Sequence, residues 1–263
     1  MEKEELIEQV NIFLKQSLNA HWNFSILEQL SDSKKNYIDE MSVSSAFYSL
    51  TYSALQTTVF MDLSKIYDTH HHSTNIEKLF YMCKKYIEYF PTHRAINLDE
   101  NNCRLEFPFQ HTITEKDKIF FQNDIENMKF EQSLSDKIPL TIDMSKEKYF
   151  DLYEWRLDRV KPRIKNLIKQ RNKIYAHNDL DTILSVEKVM SEFPVYYEDI
   201  SSLIEFSLDF TTFAYAMLTN IQRSSEPLNL NDLENTLDLV KKGMKYQDQE
   251  VKRQLEEFKN IKN

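Results

Sequence analysis

Arg171 and His177, six positions apart near the end of a helical stretch, are the side chains whose types and spacing point to chemistry. A guanidinium is a fixed, always charged fork of N–H donors suited to a phosphate or carboxylate, and an imidazole exchanges protons near neutral pH. Val160, Ile164, Leu167 and Ile174 form one apolar stripe, and the spacing that continues from Leu167 lands on Arg171, where packing alone would place a leucine. Asn172 follows it. An unpaired buried charge costs on the order of several kcal/mol, so Arg171 either bonds a carboxylate inside the protein or lines a cleft that a ligand enters. On an ideal helix Arg171 and His177 lie roughly 120° apart. They converge if the helix ends at Ala176, as Asn178 and Asp179 allow, or if two copies of the segment face each other across a dimer axis.

The surroundings favour an anionic ligand. No acidic residue occurs from Arg159 to Asn178, a window that holds Arg159, Lys161, Arg163, Lys165, Lys169, Arg171 and Lys173. Most such runs are solvated faces, so the run gains meaning only beside the motif. The chain as a whole carries a formal net charge of -9, which excludes a protein that coats nucleic acid with its entire surface. Arg104 and His111 repeat the spacing, but Pro108 intervenes and the local pattern is not helical.

The elements that position these residues are helical. With one glycine, Gly243, in 263 residues, the chain excludes the Rossmann, P-loop and kinase classes, which depend on glycine for tight turns and phosphate loops. Helices are expected over about Glu4–Leu30, Ser42–Tyr67, a segment opened by a Thr74/Glu77 capping box and stopped by Pro91, and Ser145–Ala176, where Pro162 kinks one helix or starts a second. Pro194 suits the first turn of the next helix, and an amphipathic tail runs from Asn231 to Asn263. Residues 93–143 read as an insertion: Arg104–Thr114 alternates, Lys137–Asp143 is β-compatible, and a helix from Thr114 to about Leu134 separates them. The uncharged run Met41–Met61 contains nine Ser, Thr or Gln residues and reads as a core helix, not a membrane span. Two cysteines and an acidic start without a secretory pattern place the protein in the reducing cytoplasm, with no membrane association.

The run Arg171-Asn172-Lys173-Ile174-Tyr175-Ala176-His177-Asn178-Asp179 resembles the signature of the HEPN superfamily: an arginine, a polar residue and, after four to six intervening positions, a histidine in an all-helical domain. The Ala-His pair with its following Asp, and Leu63-Ser64-Lys65-Ile66-Tyr67-Asp68 upstream, are similar to the abortive-infection, AbiU-type branch, over about residues 40–220. The resemblance implies an all-α, HEPN-like antiparallel helical bundle, residues 1–222 with the 93–143 insertion carrying a β-hairpin, followed by a charged C-terminal helix, 223–263.

It also implies a metal-independent endoribonuclease that needs no cofactor and works as a homodimer, toxin-like or in anti-phage defence, by 2′-hydroxyl attack. His177 would be general acid or base, Arg171 would clamp the phosphate and stabilise the pentacoordinate state, and Asn172 would orient phosphate or imidazole. Asp179, Asp68 and Asp62 are candidate supporting residues, and Lys165, Lys169 and Lys173 candidate RNA contacts. His70, His71 and His72, whose imidazoles point in different directions on most backbones, read as a polar loop and not a metal site. Asp179 stands where nucleotidyltransferase-controlled HEPN toxins carry the tyrosine their partner modifies, so that control is not expected, although an antitoxin or defence-system partner protein remains in view. Two rival readings stand beside the nuclease: a non-catalytic HEPN module that binds RNA or a nucleotide or scaffolds a defence complex, and a helical interaction protein in which Arg171 is only a buried ion-pair member.

Overall fold

The computed structural model describes residues 1–91, 94–97, 104–107, 109–131, 140–175, 186–227, 229 and 231–261, and the statements below concern these. The chain is all-α. Its helices are α1 (Lys3–Asn36), α2 (Ile38–Ser42), α3 (Ser45–Ile66), α4 (Ile76–Lys85), α5 (Gln122–Glu131), α6 (Lys146–Gln170), α7 (Val186–Glu192), α8 (Tyr197–Thr219) and α9 (Asp232–Ile261). A π-helical turn, Arg171–Tyr175, extends α6. Among the described residues no helix is long and apolar enough to cross a membrane.

The chain falls into two compact units. The first comprises Met1–Lys15 and Ser64–Arg223. Its core is aromatic: Phe80, Phe90, Phe150 and Phe210 are almost fully buried, with the Phe80 ring centroid 5.9 Å from Phe150 and 5.4 Å from Phe210. These contacts pull α4, α6 and α8 together. α6 begins where Ser145 accepts from the Lys148 N–H and presents Leu157, Val160, Ile164 and Leu167 on its buried side. Pro162 lies inside this one continuous helix and does not start a second. Pro194 precedes α8 instead of opening it. At the start of α8 the Asp199 side chain accepts from the Tyr196 N–H at 2.9 Å. The start of α4 is likewise displaced by one residue from expectation: Asn75, not Thr74, caps it, its side chain accepting from the Lys78 N–H.

The insertion holds two antiparallel pairs in place of one hairpin. β1 (Arg94–Asn97) pairs with β2 (Arg104–Phe107), and β3 (Phe109–Thr112) pairs with β4 (Thr141–Met144), which leads into α6. Arg104 and His111 therefore sit on different strands, not on one helix. Behind β3, the fully buried Asp117 accepts two bonds from Arg156 of α6, at 2.9 and 2.5 Å, and one from the Thr114 hydroxyl at 2.9 Å. A buried carboxylate satisfied this way ties the insertion to the helix that carries Arg171.

The second unit comprises Gln16–Leu63 and Ser224–Asn263. Phe24, Leu27, Leu30, Val59, Phe60 and Leu63 are buried in it, Trp22 donates through its indole N–H to the Ser225 carbonyl at 3.0 Å, and α9 packs on α2 with Tyr37 donating to Asp238. The uncharged run behaves unlike a core helix over most of its length: no residue from Ser42 to Thr58 is buried, and burial starts at Val59. An apolar pattern fixes which side of a helix avoids water but not whether the same chain supplies the cover.

Candidate functional site

Arg171 occupies the first position of the π-helical turn, a local widening of the helix found often at functional sites. The stripe beneath it is buried as expected: Val160, Ile164 and Leu167 are all less than a tenth exposed, while the Arg171 side chain keeps 23% of its surface. Two amides fix this end of the helix. Asn166 donates to the Pro194 carbonyl at 2.9 Å, and the buried Gln170 donates to the Phe193 carbonyl at 2.6 Å.

The Arg171 guanidinium donates through Nη2 to Asp68 Oδ1 at 3.1 Å. Asp68 follows α3 directly and is set by its neighbours. Buried Tyr67 donates its hydroxyl to the Leu203 carbonyl at 2.6 Å, pinning the backbone, and burial pushes that phenol well above its ordinary range. Asp68 also accepts from the His70 N–H at 3.1 Å and the Ser73 hydroxyl at 2.9 Å, and its carbonyl accepts from Asn75. Partial burial works against its charge, but the His70 N–H, the Ser73 hydroxyl and Arg171 outweigh it and hold the carboxyl below the usual range. Of the five N–H donors of Arg171, one is committed to Asp68, and Nε is buried with no partner among the described residues.

Of the acids the sequence offered as partners for Arg171, Asp68 is the one bonded to it among the described residues, and Asp62 stands half-buried on the part of α3 that belongs to the second unit. His177 and Asp179 lie outside the described residues. Asn172 and Lys173 are exposed on the π-helical turn, and Lys169 and Lys165 are exposed one and two turns earlier. Sequence reasoning did not single out Ser73, Asn75 and Lys78. Lys78 donates to the His71 and Ser73 carbonyls at 2.7 and 2.6 Å and so closes the loop that presents Asp68. The Ser-Thr-Asn run ahead of an apolar helix was the available signal.

The basic window is less bare than its sequence suggests, because acids from distant segments reach it. Lys161 pairs with Glu77 and Asp158, Arg163 with Asp199, and Lys173 approaches Glu192 at 3.8 Å. Arg159 lies over the Trp155 ring at 4.7 Å. Among the described residues, no carboxylate pairs with Arg159, Lys165 or Lys169, so positive charge remains on this side of α6. His70, His71 and His72 have ring centroids 3.6–5.7 Å apart in the exposed loop beside Asp68, and among the described residues no three His, Cys, Asp or Glu side chains are placed to hold a metal ion.

Comparison with known proteins bears on the same residues. The family model HEPN_AbiU2, described as AbiU2, matches residues 3–239, a span that includes α1 to α8, the insertion and the start of α9. No curated protein and no solved structure matches the chain.

Proposed function

Because the chain belongs to the AbiU2 family of HEPN proteins, we propose that it is a metal-independent endoribonuclease of abortive-infection defence, cutting RNA by 2′-hydroxyl attack at a site shared by two copies. The observation that supports this reading best is the Arg171–Asp68 pair. It holds a guanidinium at the head of the motif, partly exposed, and among the described residues only Asp68 takes one of its donors.

In this reading His177 takes the proton from the attacking 2′-hydroxyl or returns one to the leaving 5′-oxygen. Arg171 donates to the phosphate oxygens as negative charge builds in the pentacoordinate state, which an oriented bidentate donor does better than a mobile ammonium. Asn172 supplies a neutral donor or acceptor next to that phosphate. Lys165, Lys169 and Lys173, four residues apart, draw the RNA backbone toward the end of α6 and hold it there. An antitoxin or other defence protein that covers this end of α6 would restrain the activity.

The same ion pair also favours a second reading, a non-catalytic module that binds RNA or a nucleotide, because a carboxylate on the guanidinium lowers the positive charge it offers to a transition state. Cleavage of RNA by the full chain in EDTA separates the two. The nuclease reading expects 2′,3′-cyclic phosphate ends from wild type and no cutting by Arg171→Ala or His177→Ala. Equal cutting by the variants, or RNA binding without any cutting by wild type, would overturn it.

A further inference from the structure

A cleft of about 200 Å3 lies between α6 and α8 in the first unit, apart from the end of α6 that holds Arg171. Four cations line it. Lys116 is bonded to Glu205, Arg156 to Asp117 and Asp209, and Arg163 to Asp199. Arg159 is held differently: among the described residues no carboxylate pairs with it, and its guanidinium lies over the Trp155 ring at 4.7 Å. Phe120 backs that indole, with ring centroids 5.8 Å apart. A guanidinium laid on an aromatic ring keeps its charge and offers its outer planar face to a second flat group. On the α8 wall, Asp209 accepts from Arg156 at 3.3 Å. Desolvation in the cleft and the nearby Glu205 push its carboxyl above the ordinary range despite Arg156, so this group gains from further N–H donors.

We infer that this cleft is a base-reading subsite for single-stranded RNA, in which one base with an exocyclic amino group stacks on Arg159 and donates to Asp209. Size selects a single base, because sites for drug-sized ligands run to about 300–1,000 Å3. Charge selects the base and not its phosphate. Three of the four cations in the cleft are already met by acids, whereas a flat neutral ring needs only the open face of Arg159. The phosphates have their own path. Trp155, Arg159, Pro162, Asn166, Lys169 and Lys173 follow one another along α6 at alternating spacings of four and three, none is buried and none is acidic. From Arg159 that line runs about 18 Å, at 1.5 Å per residue, to the turn that holds Arg171, so the base that is read lies several nucleotides from the phosphate that is cut. Asp209 supplies the discrimination. A carboxylate only accepts, so it takes the N4 amino group of cytosine and is opposed by the O4 carbonyl that uracil presents in the same place.

The subsite rests on the proposed action on RNA, and binding tests it apart from cutting. The full chain carrying His177→Ala should bind oligocytidylate roughly tenfold more tightly than oligouridylate of equal length, and Asp209→Asn should narrow that difference. Arg159→Ala should weaken oligocytidylate binding about five- to 150-fold, and Arg159→Lys, which keeps the charge without the plane, should not restore it. Binding should also quench tryptophan emission, and Trp155→Phe should remove the quenching. Equal affinity for the two oligonucleotides, or wild-type affinity in Arg159→Ala, would overturn the subsite, and a chain that binds neither would remove the RNA reading with it. A chain that reads cytosine through Arg159 and Asp209 yet never cuts RNA would leave the subsite standing and remove only the nuclease. Cutting that is indifferent to both substitutions would do the reverse.

Discussion

Arg171 and Asp68, 103 residues apart in the chain, are joined by one hydrogen bond of 3.1 Å. Each is set by its own element before they meet: Arg171 by the amides of Asn166 and Gln170 near the end of α6, Asp68 by the Tyr67 anchor and the loop that Lys78 closes. The carboxylate accepts from three donors and is therefore a fixed point toward which the guanidinium turns, not a mobile counter-ion.

Removing that fixed point tests its role. Asp68→Ala should leave the fold intact and lower RNA cleavage roughly ten- to a hundredfold, the scale on which a displacement of about 1 Å costs rate. The loss should fall on kcat and not on KM, since an oriented guanidinium matters most in the transition state. Asp68→Asn, which still accepts from His70 and Ser73 without the charge, should fall between. Single-turnover cleavage at saturating enzyme measures this, and a wild-type rate for Asp68→Ala would reduce Asp68 to a loop cap.

The exposed lysines of α6 and its π-helical turn should act through salt. For single-stranded nucleic acid, each phosphate neutralised contributes about 0.7 to the slope of log affinity against log salt concentration. Replacing Lys165, Lys169 and Lys173 with alanine should reduce that slope by roughly 2, or somewhat less because Lys173 shares its charge with Glu192. Binding of a labelled RNA by the His177→Ala chain at several salt concentrations measures it, and an unchanged slope would place the RNA elsewhere.

Asp117 governs acid stability. Burial alone would raise its carboxyl, but His111 at 3.6 Å, two bonds from Arg156 and the Thr114 hydroxyl hold it far below the ordinary carboxylate range. A carboxyl depressed in the folded state stabilises the fold above its unfolded value of about 3.9, and that stabilisation drains away as pH falls from about 4 toward the folded value. Urea midpoints should therefore drop steeply below about pH 4 for wild type and more gently for Asp117→Asn. At neutral pH, Asp117→Ala should cost about 3–5 kcal/mol, because it leaves the Arg156 guanidinium, 19% exposed, without its main partner.

Much of this was legible in the sequence, for reasons that also mark where it stopped. The α6 stripe could be read because one side of it is buried within the chain, and the break at Arg171 stood out against it. Asp68 was a candidate, but its pairing spans 103 residues and no local pattern encodes such a contact. The Thr74 reading missed the cap by one residue because Thr and Asn both cap helices, and the choice between them is made by the Asn75 bond to the Asp68 carbonyl. α3 was misread as core because an apolar side looks the same in sequence whether or not its own chain covers it. The acids that neutralise much of the basic window come from Glu77, Glu192 and Asp199, all outside it.

Pro162 offers a test of whether α6 trades stability for shape. It sits inside the 25-residue helix, exposed, where it removes the N–H that would bond the Asp158 carbonyl and crowds that carbonyl with its ring. Proline in a helix interior costs about 3 kcal/mol relative to alanine, so Pro162→Ala should stabilise the fold by about 1–3 kcal/mol, the lower part of the range applying where the helix has already bent around the ring. Restoring the Asp158 bond would also tighten the turn nine residues before Arg171 and so adjust where the helix end stands relative to the Asp68 loop. Pro162→Ala should then raise Tm while lowering cleavage, and a variant with raised Tm and undiminished cleavage would show that the proline does nothing for the site.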